Sequence, residues 1–223
     1  MEQKKSRFKG RLILIIVLAV LLGWLYILSR AEYNVATLPI LGQKYLGSNG
    51  DTVFHQIDSF SLIDHKGKVF TQDNLYGKIH LASFFFTTCP EVCPAVNANI
   101  HLVQNKFKDA KEVVFVSYTV DPETDTVEQL AKYAKKYGNP SNWYFITGSK
   151  FQIYELAEYS YMAIHKGASK ANWAHTELLT LVDENGHVRA VFEGRGDQLE
   201  VDKINDAIKL LRMERNLKLS AKK

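Results

Sequence analysis

The chain of 223 residues is long enough for one good core, and its hydrophobic fraction of 46% is ordinary for a folded protein, which excludes general disorder. Its formal charge of +4 is concentrated at one end, where Lys4, Lys5, Arg7, Lys9 and Arg11 face Glu2 alone. Setting those residues aside reduces the 28 bases and 24 acids to 23 of each, so the body is neutral and a basic field for nucleic acid is excluded.

The basic segment 1–11 leads into an apolar run, Leu12 to Leu28, LILIIVLAVLLGWLYIL. At a helical rise its 17 residues span roughly 25 Å, near the lower limit for crossing a bilayer. Trp24 and Tyr26 stand near its far end, where amphipathic rings favour the lipid–water boundary. The expectation is one transmembrane anchor over 12–28 with the basic flank in the cytoplasm. The rest of the chain then lies on the periplasmic side of a bacterial cytoplasmic membrane. A cleaved signal peptide is the competing reading, but the run is long for one and no small-x-small cleavage site follows. A buried core helix fits poorly, because the run has no polar face.

Residues 29–54 read as a linker and lead-in loop, with poor periodicity and a Gly/Asn cluster at the end. The segment QIDSFSLID (56–64) alternates like a strand, HKG (65–67) turns, and KVF (68–70) returns. DNLYG (73–77) suits a single helical turn. KIHLASFFF (78–86) is a continuous apolar run, the pattern of a central strand buried on both faces. After TTCPEVCP, the sequence predicts a helix over 95–107, a strand over 112–120 and a helix over 126–138 that Gly138 ends. A strand follows at 142–148 and a helix at 151–159. The segments 175–183 and 187–194 form a hairpin about ENG, and an amphipathic helix over 201–217 closes the domain before a basic tail, 218–223. The expected fold class is α/β, a thioredoxin-like domain over 55–217 with a mixed central sheet flanked by helices. Parallel crossovers build its first half, and the late hairpin extends the sheet antiparallel.

TTCPEVCP (87–94) holds the only two cysteines, Cys89 and Cys93, at the carboxyl end of that central strand. Outside the cytoplasm such thiols can be oxidised, and a structural disulfide is the plain alternative to chemistry. It would close a very small loop, where the gain is least. Pro90 and Pro94 both suit a first helical turn, and either can begin the helix. In both cases the helix start is expected to lower the thiol pKa values and favour thiolates. Two thiolates suit Cu(I), zinc or redox exchange, and zinc would need more ligands than a lone pair supplies. An imidazole would complete a three-ligand copper site. Of the seven histidines, His55, His65 and His187 fall in turns or at strand edges, and His80 lies early in its strand. His101 is two turns beyond Cys93, His165 is in the loop HKGASKANWA, and His175 opens the strand after it.

Three stretches carry a family resemblance: FFFTTCPEVCP, VDPETDT (120–126) and AHTELLTLVDENGHVR (174–189). Together with the upstream DSFSLIDHKGKVFTQDNLYGK, they resemble the SCO/SenC family over roughly residues 55–212. Its members are membrane-anchored, thioredoxin-like copper proteins of cytochrome c oxidase assembly. The resemblance implies that Cys89, Cys93 and His175 are copper ligands and gives Asp121 a role in shaping the site. The plain reading of that second loop is helix capping by Asp125 or Thr126, with Glu128 or Gln129 completing a box. Thr88 and Ala174 depart from the family, where His commonly precedes the first Cys and Asp commonly precedes the ligand His. Loss of that acidic neighbour bears on the orientation of His175, hence on affinity.

Two functions follow from the resemblance. The first is a metallochaperone that carries Cu(I) or Cu(II) to the copper-centre subunit of cytochrome c oxidase. The second is a thiol-disulfide reductase in which Cys89 and Cys93 are catalytic and reduce the oxidase's copper-site cysteines. A copper donor or a thiol reductant protein is the further expected partner. A redox or copper sensor would use the same pair. The wide Cys-x-x-x-Cys gap speaks against an ordinary thioredoxin mechanism.

Overall fold

The computed structural model describes residues 14–26, 37–164 and 177–221, so His165, Ala174 and His175 lie outside the described residues. The chain divides into two compact units, Met1–Ala36 and Thr37–Lys223. In the first, residues 14–26 form a helix, α1, whose side chains are all exposed. Among the described residues no helix is long and apolar enough to cross a membrane; the ends of the 12–28 run lie outside them.

The second unit opens with a hairpin inside the stretch 29–54, where a linker and lead-in loop is expected. Strands β1 (Lys44–Leu46) and β2 (Thr52–Phe54) pair as a small antiparallel hairpin. Each is only three residues long and mostly exposed, too short and too wet to carry an alternating apolar signal. Next come β3 (Ser61–Asp64), which is shorter than the run 56–64, and β4 (Val69–Thr71). They are joined by a turn in which Gly67 adopts φ +74.

The central strand β5 (Ile79–Phe85) is buried along its whole length, as its unbroken apolar run requires. Helix α2 (Val92–Lys106), β6 (Val113–Thr119), α3 (Val127–Lys136), β7 (Trp143–Thr147) and α4 (Lys150–Glu155) follow. Residues Leu156–Ser160 continue α4 as one widened turn of π-helix. The chain closes with β8 (Leu178–Val182), β9 (Val188–Glu193) and α5 (Gln198–Ser220). Asp197 caps α5 by accepting from the amides of Leu199 and Glu200, which starts the helix three residues before the apolar periodicity does.

The seven-stranded sheet has the order β4-β3-β7-β6-β5-β8-β9. β5 pairs parallel with β6, and β6 with β7; the remaining pairs are antiparallel. This is the expected mixed α/β sheet flanked by helices. Side-chain alternation on β5 divides the core in two. Ile79, Leu81 and Phe85 join one cluster with α2, α3 and α5, and both cysteines belong to it. Ala82 and Phe84 face the other, with Tyr118, Ile153 and Tyr161.

Candidate metal centre

β5 ends at Phe85, and the chain turns through Phe86–Thr88 before α2 begins at Val92. Neither proline starts the helix. Glu91 is the N-cap residue, Pro90 lies before it, and Pro94 is the third helical residue. Pro94 is tolerated there because an amide at that position has no partner inside the helix. Glu91 makes no side-chain capping bond. The cap comes from sulfur, since the Cys93 amide donates to Cys89 Sγ at 3.3 Å. The Cys89 amide in turn donates to the Phe86 carbonyl at 3.3 Å, which closes a tight turn over 86–89.

Both cysteines are free thiols, 8% and 5% exposed. The expectation that the helix start makes both of them thiolates is corrected at Cys93. Burial pushes its pKa up to about 12, the hydrogen bond with Cys89 adds to the rise, and a backbone hydrogen bond from Phe86 opposes it. Desolvation of a charged sulfur outweighs the helix dipole here. Cys93 is therefore a neutral thiol near pH 7, and a metal that takes its sulfur displaces a proton.

The loop between β6 and α3 closes over the same end of the sheet. Thr126 caps α3 by accepting from the Gln129 amide at 3.3 Å, which leaves Asp125 free for another task. Asp125 is fully buried. Its carboxylate accepts from the Thr87 amide at 3.0 Å, from the Thr87 hydroxyl at 2.5 Å and from the Thr119 hydroxyl at 2.5 Å. Gln129 Nε2 also reaches Thr87 Oγ1, at 3.4 Å. Asp121 meets this network through its backbone, its amide donating to Thr119 Oγ1 at 3.0 Å. Sequence reasoning missed the Asp125–Thr87 link, because 38 residues separate them and a capping aspartate explains the local pattern equally well.

Five histidines fall among the described residues, and each has a partner elsewhere. His55 Nε2 donates to the Ser160 carbonyl at 2.7 Å. His65 accepts at Nδ1 from the Phe145 amide and donates from Nε2 to Asn139 Oδ1. His80 pairs with the Tyr161 hydroxyl at 3.2 Å. Burial lowers its pKa to about 3. His101 meets Asn105, and His187 meets Gln56 and Asp183. Among the described residues, no group of three or more His, Cys, Asp and Glu is arranged to hold a metal. The two thiols themselves form a donor pair suited to a soft, low-coordinate ion.

One further contact brings β8 and β9 against the cysteine helix. The Gly194 amide donates to the Glu177 carbonyl at 2.6 Å. A Cβ on Gly194 would stand 2.6 Å from that oxygen and 2.8 Å from Val96 Cγ1. Asn99 of α2 donates to the carbonyls of Gly194 and Gly196 at 2.9 and 2.8 Å. Only glycine lets the backbone come this close to α2. A surface cleft of about 670 Å³ lies elsewhere, lined by Tyr45, Phe54, His55, Asp58, Glu158 and Tyr159 among others, and neither cysteine contributes to it.

Comparison with known proteins agrees with this architecture. The family model for SCO1/SenC matches residues 50–209. A SCO1/SenC family lipoprotein from Bacillus anthracis str. Ames is similar at 30% identity and a TM-score of 0.62, covering 71% of this chain and 95% of that one. BsSco, in which a disulfide switch was identified, is described as a member of the Sco family of cytochrome c oxidase assembly proteins. It is 31% identical with a TM-score of 0.58, over 70% of this chain and 93% of its own. ScoI of Bradyrhizobium japonicum, with copper bound, is 26% identical with a TM-score of 0.55, over 69% and 98% of the two chains. A thioredoxin-like sheet carrying two free thiols at the start of a helix, matched over that length, identifies the chain as a member of the SCO1/SenC family.

Proposed function

We propose that this protein binds copper through Cys89, Cys93 and His175 and delivers it to the copper-centre subunit of cytochrome c oxidase. The observation that carries the reading is the pair of buried free thiols, joined by the Cys93 amide to Cys89 Sγ bond at the end of β5. The copper-bound state of a relative with this fold supports copper as the cargo. Support for His175 comes from chain reach. Glu177 is held against Gly194, which abuts Val96, three residues beyond Cys93. His175 is two residues before Glu177, so at most about 7 Å of extended backbone separates them.

Loading exchanges protons for metal. Cys93 gives up its thiol proton as copper takes the sulfur, and release to the acceptor subunit reverses the exchange. Thr87, Cys89 and Cys93 are each held by a hydrogen bond, and both cysteines are buried, so the sulfurs are held ready without a large ordering cost.

A second reading uses the same pair. Cys93 and Cys89 are close enough to share a hydrogen bond, and a disulfide switch is described in BsSco. A reductase acting on the oxidase's copper-site cysteines would attack with one thiolate and resolve with the other. The membrane placement belongs to this proposal as well. The apolar run 12–28, its basic flank and a relative described as a lipoprotein support an anchored protein whose copper domain lies outside the cytoplasm.

The test is copper titration of the full chain in detergent, followed by visible and EPR spectroscopy. Cu(II) is expected to give thiolate charge-transfer bands that vanish in Cys89→Ser and Cys93→Ser and change in His175→Ala. An unaltered spectrum in His175→Ala would remove that ligand. Cells in which the serine variants still load the oxidase with copper would sink both the delivery and the reductase readings.

A further inference from the structure

We infer that Asp125 is a positioning residue for the thiol pair, holding Thr87 and through it the backbone that brings Cys89 Sγ to the Cys93 amide. The inference rests on Cys89 and Cys93 being the reactive pair. Asp125 is fully buried, and among the described residues it has no ion-pair partner. A carboxylate in such a place is strongly unfavourable unless its oxygens are filled with donors. Two of its three donors come from Thr87, two residues before Cys89.

The carboxylate is itself fixed from behind. Its own amide donates to the Asp121 carbonyl at 2.9 Å, and Thr119, at the end of β6, donates to Oδ2. Helix α3 adds Gln129 on the far side of Thr87. The loop after β5 is thus tied to β6 and α3, and the tight turn over 86–89 transmits the position of Thr87 to Cys89. Helix capping does not account for Asp125, because Thr126 performs it. Both disulfide closure and metal capture reward sulfurs already held close together, since less freedom is lost on joining them.

The dithiol–disulfide equilibrium of the metal-free full chain in detergent, measured against dithiothreitol, tests this. As the Cys89–Cys93 bond forms, the two thiols give up two electrons and two protons. Oxidised dithiothreitol takes both, its S–S bond breaks, and it becomes the dithiol. Asp125→Asn and Thr87→Val are each expected to disfavour the protein disulfide about 10-fold, raising its potential by about 30 mV. Thr87→Ser keeps the hydroxyl and restores the wild-type value. Thr119→Val removes one bond from the same carboxylate but leaves both Thr87 bonds; it is expected to lower the melting temperature and to shift the potential less than Asp125→Asn does. Two results overturn the inference: unshifted potentials in Asp125→Asn and Thr87→Val, or an equal shift in Thr119→Val. A wild-type chain that forms no disulfide and gives no copper–thiolate absorption would sink the reading of the cysteines themselves, and this inference with it.

Discussion

Asp125 and Asp183 are both buried aspartates, yet they do opposite work. Asp183 sits at the β8–β9 turn and is paired with Arg189 at 2.9 Å, which also grips Glu214 of α5 at 2.9 Å. Its other oxygen accepts from the amides of Asn185 and His187. Arg189 also donates to the carbonyls of Leu38 and Pro39, so this cluster ties the start of the second unit to its last strand and helix. Asp125 has hydroxyl and amide donors in place of a guanidinium, and its partners lead to the cysteines. A buried carboxylate matched by a cation closes a structure. One held by hydroxyl and amide groups orients a neighbour while keeping its charge near the site.

The largest effect is expected from breaking the first arrangement. Arg189→Met leaves Asp183 and Glu214 buried without their cation and should cost about 3–5 kcal/mol in urea unfolding. A loss below about 1 kcal/mol would show that the cluster is solvated, contrary to its burial.

His80 sharpens the contrast with a group that is buried and neutral. Burial holds its folded pKa at about 3, below the ordinary histidine value of 6.5. Between those values the unfolded chain binds the extra proton, so stability falls as pH drops below about 6.5. The expected slope is about 1.4 kcal/mol per pH unit at most, or on the order of 3 kcal/mol by pH 4. Acid unfolding of His80→Phe should lose most of that dependence. An unchanged slope would mean that other groups carry it.

Cys93 gives the corresponding pH effect on the site itself. Its raised pKa means that copper must displace its proton, so apparent Cu(I) affinity should rise with pH by up to about 10-fold per unit for each proton released. Competition with a Cu(I) chelator between pH 6 and 8 measures the slope. A flat profile would show that Cys93 is already ionised or is not a ligand.

The smallest effect separates Asp125 from its neighbour. Thr126→Ala removes the α3 cap and should cost about 1 kcal/mol with no change in copper spectra. A spectral change would extend the positioning role to the cap.

Much of the fold is legible locally. The unbroken apolar run at 78–86 predicts a strand buried on both faces, and β5 is one. Gly138, at φ +77, follows α3 as its position predicts, and ENG turns the last hairpin with Gly186 at φ +83. The first hairpin is not legible, because three-residue exposed strands carry no hydrophobic period. The start of α2 is missed for a related reason. Two prolines offer two local answers, whereas the actual cap is a sulfur from the preceding loop.

The sequence by itself determined the thiol pair, its place after the central strand, the apolar segment ahead of it and the family resemblance. These follow from residue identity, spacing and hydrophobic period, all of which are local. Only the tertiary structure decided that Cys93 is a neutral thiol, that Asp125 reaches Thr87, and that Gly194 brings the start of β8 against α2. Desolvation, hydrogen bonding across 38 residues and close backbone approach depend on which segments meet, and no local pattern records that.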